Sequence, residues 1–382
     1  MGHAQIDAAL ASAVDSGGLA GVAATAWTRG GLVYDGAAGE SVPGHAMRPD
    51  TVVWIASMTK AVTAAAVMQL VERGVLDLDQ PAGDFVPYLR EVQVLDGFDS
   101  DGTPRLRPPS RPATMRHLLT HTSGFGYEWA EESLARYVPT QPEAALGSIA
   151  SIEHPLTFDP GERWSYSIGI DWAGRVVEEV SGQRLDAYFR DHLLDPLGMH
   201  DTTFSLSPAQ RERSAGMHFR ADDALVPIPF ELPADPEMLL GGAGLYSTVV
   251  DYLRFTRMLL GGGELDGTRV LTPETVALMG QNHIGELSAS GWRTYNPAMT
   301  NDVELYPGGE SSAFGLTFLV NTRTTAEGRS PNSLFWAGLA NPYYWVDPSA
   351  GVTGVFATQV LPFFDERSLA AFSSFERAVY DV

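Results

Sequence analysis

The sequence predicts an α/β (α+β) fold: an antiparallel sheet flanked by helices, interrupted by an inserted all-helical lobe. Three observations carry this expectation. Strand-like runs open the chain as a hairpin and return near its end. An almost wholly apolar helical run follows the first hairpin. The middle of the chain alternates amphipathic stretches with proline-rich loops. Strands supplied by both ends are most simply joined in one sheet, which leaves the middle as an insertion. The division that follows is a discontinuous sheet domain, residues 1–78 plus 241–382, and a mainly helical domain, residues 79–240. The active-site cleft is expected between them. A chain of 382 residues suits one large domain carrying such an insertion.

The elements follow in order. Gly21 to Trp27 and Leu32 to Gly36 flank Arg29-Gly30-Gly31, two β-compatible runs around a glycine turn. Ser57 to Arg73 is nearly unbroken in Ala, Val, Met and Leu and stops at Gly74, which predicts a buried central helix. Trp172 to Ser181 is amphipathic, and Thr103 to Pro112 is a proline-rich loop. Gly241-Gly242-Ala243-Gly244 marks the return to the sheet domain, with a helix over Asp251 to Leu260. Strands are predicted at Phe314 to Asn321, Leu334 to Gly338, Tyr343 to Val346 and Gly351 to Gln359, and a last helix over Glu366 to Val379. No repeat or low-complexity tract is visible.

Composition narrows the function. The net charge is −22. So acidic a surface repels nucleic acid and anionic membranes, and neither is expected as a partner. The absence of cysteine removes disulfides, thiol nucleophiles and thiolate metal sites. Residues Met1 to Gly21 lack a basic start and a continuous apolar core, and no apolar run reaches the ~20 residues of a membrane helix. The expected compartment is the cytoplasm.

The sharpest chemical feature is Trp54-Ile55-Ala56-Ser57-Met58-Thr59-Lys60. Residues three apart on a helix share a face, so Ser57 and Lys60 can enter one cleft. Serine needs a base to become a nucleophile. A buried lysine can become neutral and serve as that base, whereas arginine cannot. Lys60 is the only lysine in the chain, against 24 arginines. Tyr166 lies in Pro160-Gly161-Glu162-Arg163-Trp164-Ser165-Tyr166-Ser167; a phenol beside a cation could take the Ser57 proton and return it to the leaving group. The run Phe335-Trp336-Ala337-Gly338-Leu339 reads as a strand edge able to present a backbone N–H. With the Ser57 N–H, that of Leu339 would form an oxyanion hole. Tyr127, in Gly124-Phe125-Gly126-Tyr127-Glu128-Trp129, reads either as an aromatic wall for substrate or as loop packing. Tyr343, Tyr344 and Trp345 carry the same two readings.

Together these motifs resemble the serine β-lactamase and penicillin-binding-protein superfamily, in its class C-like branch. Within that branch the chain is most similar to family VIII carboxylesterases and lovastatin-type acyltransferases. The likeness extends to Gly74-Val75-Leu76-Asp77-Leu78-Asp79, Arg116 to Gly124, Asp195-Pro196-Leu197-Gly198-Met199 and Gly244-Leu245-Tyr246-Ser247. It implies Ser57 as nucleophile, Lys60 as its activator and Tyr166 as general base, in a β-lactamase/transpeptidase-like fold. Two departures stand out. Trp336 occupies the place of the lysine that opens the third β-lactamase motif, and Ile168 follows Tyr166-Ser167 where asparagine is common. Both remove polar groups that bind a β-lactam or peptide.

His117 and His121 are four apart, but no His-Glu-x-x-His string accompanies them, and no metal is expected. No Gly-x-Ser-x-Gly elbow occurs, and Gly241 to Gly244 lacks dinucleotide spacing. The expectation is a serine carboxylesterase of short-chain esters, working without a cofactor on a small-molecule ester. Tyr127, Trp336 and Gly338 are its expected substrate-binding residues. Acyltransferase or amidase action on the same centre is the alternative, followed by β-lactamase or D-alanyl-D-alanine peptidase, and last an inactive binding protein. Oligomeric state is left open.

Overall fold

The computed structural model describes residues 2–305 and 312–382. Its centre is an eight-stranded sheet, ordered Ala313–Phe314, Leu319–Val320, Leu334–Ala337, Tyr343–Asp347, Val352–Ala357, Gly21–Thr28, Gly31–Val42 and His45–Ala46. Every neighbouring pair is antiparallel. The two ends of the chain meet where Gly21–Thr28 pairs with Val352–Ala357, in the register Ala23↔Ala357 to Thr28↔Val352.

Alternation along these strands builds two cores. Val22, Ala24 and Ala26 join Tyr343, Trp345 and Phe356 on the face covered by helices Gly2–Asp15 and Glu366–Tyr380. Ala23, Tyr344, Val346 and Val355 belong to the larger core on the other face, which includes helices Val249–Leu260 and Thr59–Glu72. Tyr343, Tyr344 and Trp345 are therefore packing residues on both faces, and none lines the cavity described below. Gly354 is small for a local reason: a Cβ there would lie 2.2 Å from the Trp345 indole across the strand pair.

The apolar helix runs Thr59–Glu72 after a 3₁₀ turn at Ala56–Met58. It is buried from Thr59 to Leu70 because other elements cover every face there. Gly74, at φ +68°, ends it: Gly74 N–H donates to Val71 O and Val75 N–H to Leu70 O, closing the last carbonyls in a left-handed turn.

Between residues 79 and 240 the chain forms short helices and loops around the helix Gly169–Ser181, with two small hairpins, Val94–Phe98/Pro104–Arg107 and Met217–Ala221/Ala224–Ile228. Neither hairpin is predicted, and neither is the N-terminal helix, whose Ile6 and Leu10 are buried against the sheet. The strand expected over Phe314 to Asn321 is two short strands around a tight turn. Gly315 N–H donates to Phe318 O, Thr317 adopts φ +78°, and a side chain on Gly315 would strike Met279 O. Among the described residues, no helix is long and apolar enough to cross a membrane.

Candidate active site

Ser57 is placed by its neighbours. Val53–Trp54 pairs with Tyr246–Ser247, and Gln359 clamps Trp54 at both its N–H and C=O, 3.0 Å each. The chain then turns sharply. Ala56 takes φ +45°, a left-handed conformation that costs an alanine roughly 1 kcal/mol and that the clamped flanks impose. Ser57 follows in the 3₁₀ turn, and Lys60 lies in the first turn of the central helix.

Lys60 is fully buried. Its Nζ donates to Ser57 Oγ at 3.1 Å, Tyr127 Oη at 3.0 Å and Gly242 O at 2.8 Å. Three acceptors match the three protons of an ammonium. The partners are not equivalent. A carbonyl can only accept, so Gly242 O fixes one N–H, whereas the hydroxyls of Ser57 and Tyr127 can reverse and donate to a neutral amine. The centre therefore accommodates both charge states of Lys60 without moving a heavy atom.

Tyr166 reaches the same ammonium with its ring, whose centroid lies 4.8 Å from Lys60 Nζ. Its hydroxyl accepts the Trp336 Nε1–H at 3.2 Å. The phenol that hydrogen-bonds Lys60 is Tyr127, which the sequence left open between a substrate wall and loop packing. Burial, with the Asp171 charge second, pushes the Tyr127 hydroxyl well above the ordinary phenol range, so this group is held neutral. His121 lies under Tyr166 with ring centroids 4.7 Å apart and accepts Ser167 N–H at Nδ1. Burial and the Lys60 charge hold its imidazole well below its usual value. His121 is thus a neutral support for the Tyr166 segment. His117, four residues earlier, bonds Thr114 at a helix start.

The segment after Ala337 closes behind the serine. A Cβ on Gly338 would lie 2.3 Å from Ile55 O, so only glycine lets this strand end abut the Ser57 turn. Gly338 N–H donates to Pro342 O. Among the described residues, neither the Ser57 N–H nor the Leu339 N–H donates to another protein group.

A cavity of about 600 Å³ opens over this centre, lined by Ser57, Tyr127, Tyr166, Trp336, Gly338 and Leu339 among others. Trp129 and Trp292 also line it and escaped the sequence reading. Tyr127 stacks on Trp129 at 4.6 Å and Tyr166 on Trp292 at 5.2 Å. The charged residues of the lining are Glu128, Glu143, Glu153 and Asp171; no arginine or lysine joins them among the described residues. The Gly241 to Gly244 run, read from sequence as a turn, supplies more than that. Thr63 holds Gly241 O at 2.6 Å, Gly242 O holds Lys60, and Gly242 N–H donates to Asp171 Oδ1 at 2.8 Å.

The chain is similar in sequence and fold to known proteins. The chain is 32% identical to a lovastatin esterase from Penicillium rubens, over 94% of this chain and 93% of that protein. It is 31% identical to a monacolin J acid methylbutanoyltransferase from Aspergillus terreus, over 87% of this chain and 83% of that one. A solved variant of simvastatin synthase from Aspergillus terreus superposes with a TM-score of 0.85 at 30% identity, covering 99% of this chain and 96% of the other. The profile described as Beta-lactamase matches residues 6–375, and the chain belongs to that family.

Proposed function

We propose that this protein is a serine carboxylesterase that forms an acyl-enzyme on Ser57. The observation that carries the reading is the 3.1 Å contact of the sole lysine, itself fully buried, with the Ser57 hydroxyl, which lines an apolar cavity. Lys60 in its neutral form takes the Ser57 proton as Oγ attacks the ester carbonyl. The Ser57 and Leu339 N–H groups receive the oxyanion. Tyr166, whose oxygen accepts from Trp336 and whose own proton is uncommitted, protonates the departing alkoxide. It then takes that role in reverse for the incoming water. Tyr127 keeps Lys60 in line, and with Trp336 and Gly338 it bounds the substrate.

The substrate class follows from the lining. Aromatic walls suit neutral acyl and alcohol groups, and about 600 Å³ accommodates more than a short chain. Transfer of the acyl group to an alcohol is a second reading. The same apolar walls favour it, because an organic acceptor gains contact there that water does not. The relatives include an enzyme named as an esterase and one named as an acyltransferase. The test is a series of p-nitrophenyl esters from acetate to octanoate, with and without an added primary alcohol. Hydrolysis abolished by Ser57→Ala supports the esterase. New ester product at the expense of free acid adds the transferase. Wild-type turnover in Ser57→Ala refutes both.

A further inference from the structure

Asp171 is a buried carboxylate with no ion-pair partner of its own among the described residues. It lies in the first turn of helix Gly169–Ser181, is 3% exposed, and forms part of the cavity lining. Burial works against its charge, and Lys60 is the cation that works for it. The two are joined through one residue: Gly242 gives its N–H to Asp171 Oδ1 and its C=O to Lys60 Nζ, each at 2.8 Å. The fit leaves no slack, since a Cβ on Gly242 would lie 2.5 Å from Asp171 Oδ2. The other groups facing Lys60 are the hydroxyls of Ser57 and Tyr127, the ring of Tyr166 and, further off, the neutral His121. None of them carries a negative charge. The groups facing Asp171 are Gly242 N–H, its own helix N-terminus and the Tyr127 phenol.

We propose that Asp171 is a positioning residue of the acyl-transfer centre: the buried counter-charge of Lys60, which fixes Gly242 against the amine and keeps Lys60 protonated in the resting enzyme. This rests on the reading of Ser57 and Lys60 as the reactive pair. The sign of the effect does not depend on which group loses the critical proton. A negative charge at 171 opposes loss of a proton from the Lys60 ammonium and from the Tyr127 phenol alike. Asp171→Asn removes the charge and retains an oxygen for Gly242 N–H. It must therefore shift the acid limb of kcat/KM on a neutral ester to lower pH. The low end of what an opposite charge does at close range is about one pH unit. A residue that merely packs would lower activity and leave the limb in place.

The single lysine permits a direct reading. Protein grown with 13Cε-lysine gives one lysine signal, that of Lys60. Its titration midpoint is expected to be lower in Asp171→Asn than in the wild type by a similar amount. The reciprocal variant Lys60→Met decides the matter should Asp171→Asn not fold, because coupling between two sites acts equally in both directions. Without the ammonium, the Asp171 carboxyl must hold its proton to higher pH than in the wild type. That appears as a carboxylic-acid C=O band that persists to higher pH in the 13C-aspartate infrared titration than in wild type. An unmoved lysine midpoint in folded Asp171→Asn, or no such band in Lys60→Met, overturns the proposal. Neither readout requires turnover. A failed coupling with Ser57 still acylated therefore removes only this proposal. A coupling without Ser57 acylation removes the esterase reading instead.

Discussion

Lys60 Nζ and Tyr127 Oη are 3.0 Å apart, and the Tyr166 hydroxyl, bonded to Trp336, lies outside that pair. Two phenols therefore surround one amine, and the proposed mechanism gives them different tasks: Tyr127 holds Lys60, and Tyr166 serves the departing oxygen.

This separation predicts a leaving-group dependence. Tyr166→Phe removes the proton donor for the alkoxide, so the loss should be large on ethyl butyrate and small on p-nitrophenyl butyrate, whose phenolate leaves unaided. The expected drop on the alkyl ester is on the order of 10²–10⁴-fold in kcat. Tyr127→Phe should lower kcat on both esters by similar factors. Equal losses on both esters in Tyr166→Phe would contradict the assignment.

Lys60→Arg keeps a positive charge and should still lose most activity, on the order of 10²–10⁴-fold, because a guanidinium does not become neutral. Circular dichroism and kcat/KM on one neutral ester check it. A folded Lys60→Arg within tenfold of wild type would remove the lysine from the proton path.

Trp336, which the sequence resemblance sets at the place of the β-lactamase lysine, gives its indole N–H to a phenol. No arginine or lysine lines the cavity among the described residues, while Glu128, Glu143 and Glu153 do. A cephalosporin carboxylate entering here loses water without gaining a cation. That costs several kcal/mol, and each ~1.4 kcal/mol is a factor of ten. p-Nitrophenyl butyrate should therefore exceed nitrocefin in kcat/KM by at least about a hundredfold. Comparable values would restore the β-lactamase alternative.

Stability should fall as pH rises from about 4.5 to about 7, because of Glu376. Its carboxyl is buried in the last helix, and burial pushes its pKa up to about 7. Arg329 Nε is 2.6 Å away, but no oxygen of Glu376 is aligned for a hydrogen bond, so desolvation outweighs the pairing. An acid whose folded pKa is raised contributes its stability below the unfolded value, near 4.5. The contribution is lost as pH rises to about 7. Its size is on the order of 3 kcal/mol. Glu376→Gln should match wild type in Tm near pH 5 and exceed it at pH 8. A lower Tm for the variant at pH 8 would show that the Arg329 pairing dominates.

Local pattern carried the sequence reading as far as chemistry within a few residues reaches. Ser57 and Lys60 are three apart, and their contact follows from one turn of helix. The hairpin at Gly21–Thr28 and the stop at Gly74 are legible because turn and cap chemistry is local. The Tyr127–Lys60 bond spans 67 positions and the Gly242–Lys60 bond 182, and no spacing announces either. Asp171 looks like any first-turn helix acid until the fold sets Gly242 against it. Trp129, from a loop, and Trp292, from a short strand, come together in the same way. Ile6, Leu10 and Ala13 do offer a helical spacing near the N-terminus.

The central claim is that Ser57 becomes acylated. Intact-protein mass spectrometry after a brief reaction with a fluorophosphonate, and separately with p-nitrophenyl butyrate quenched in acid, tests it. The account predicts one phosphonyl or butyryl adduct per chain, mapped to the peptide containing Ser57 and absent from Ser57→Ala. An adduct on another residue, or ester hydrolysis at the wild-type rate in Ser57→Ala, would contradict it.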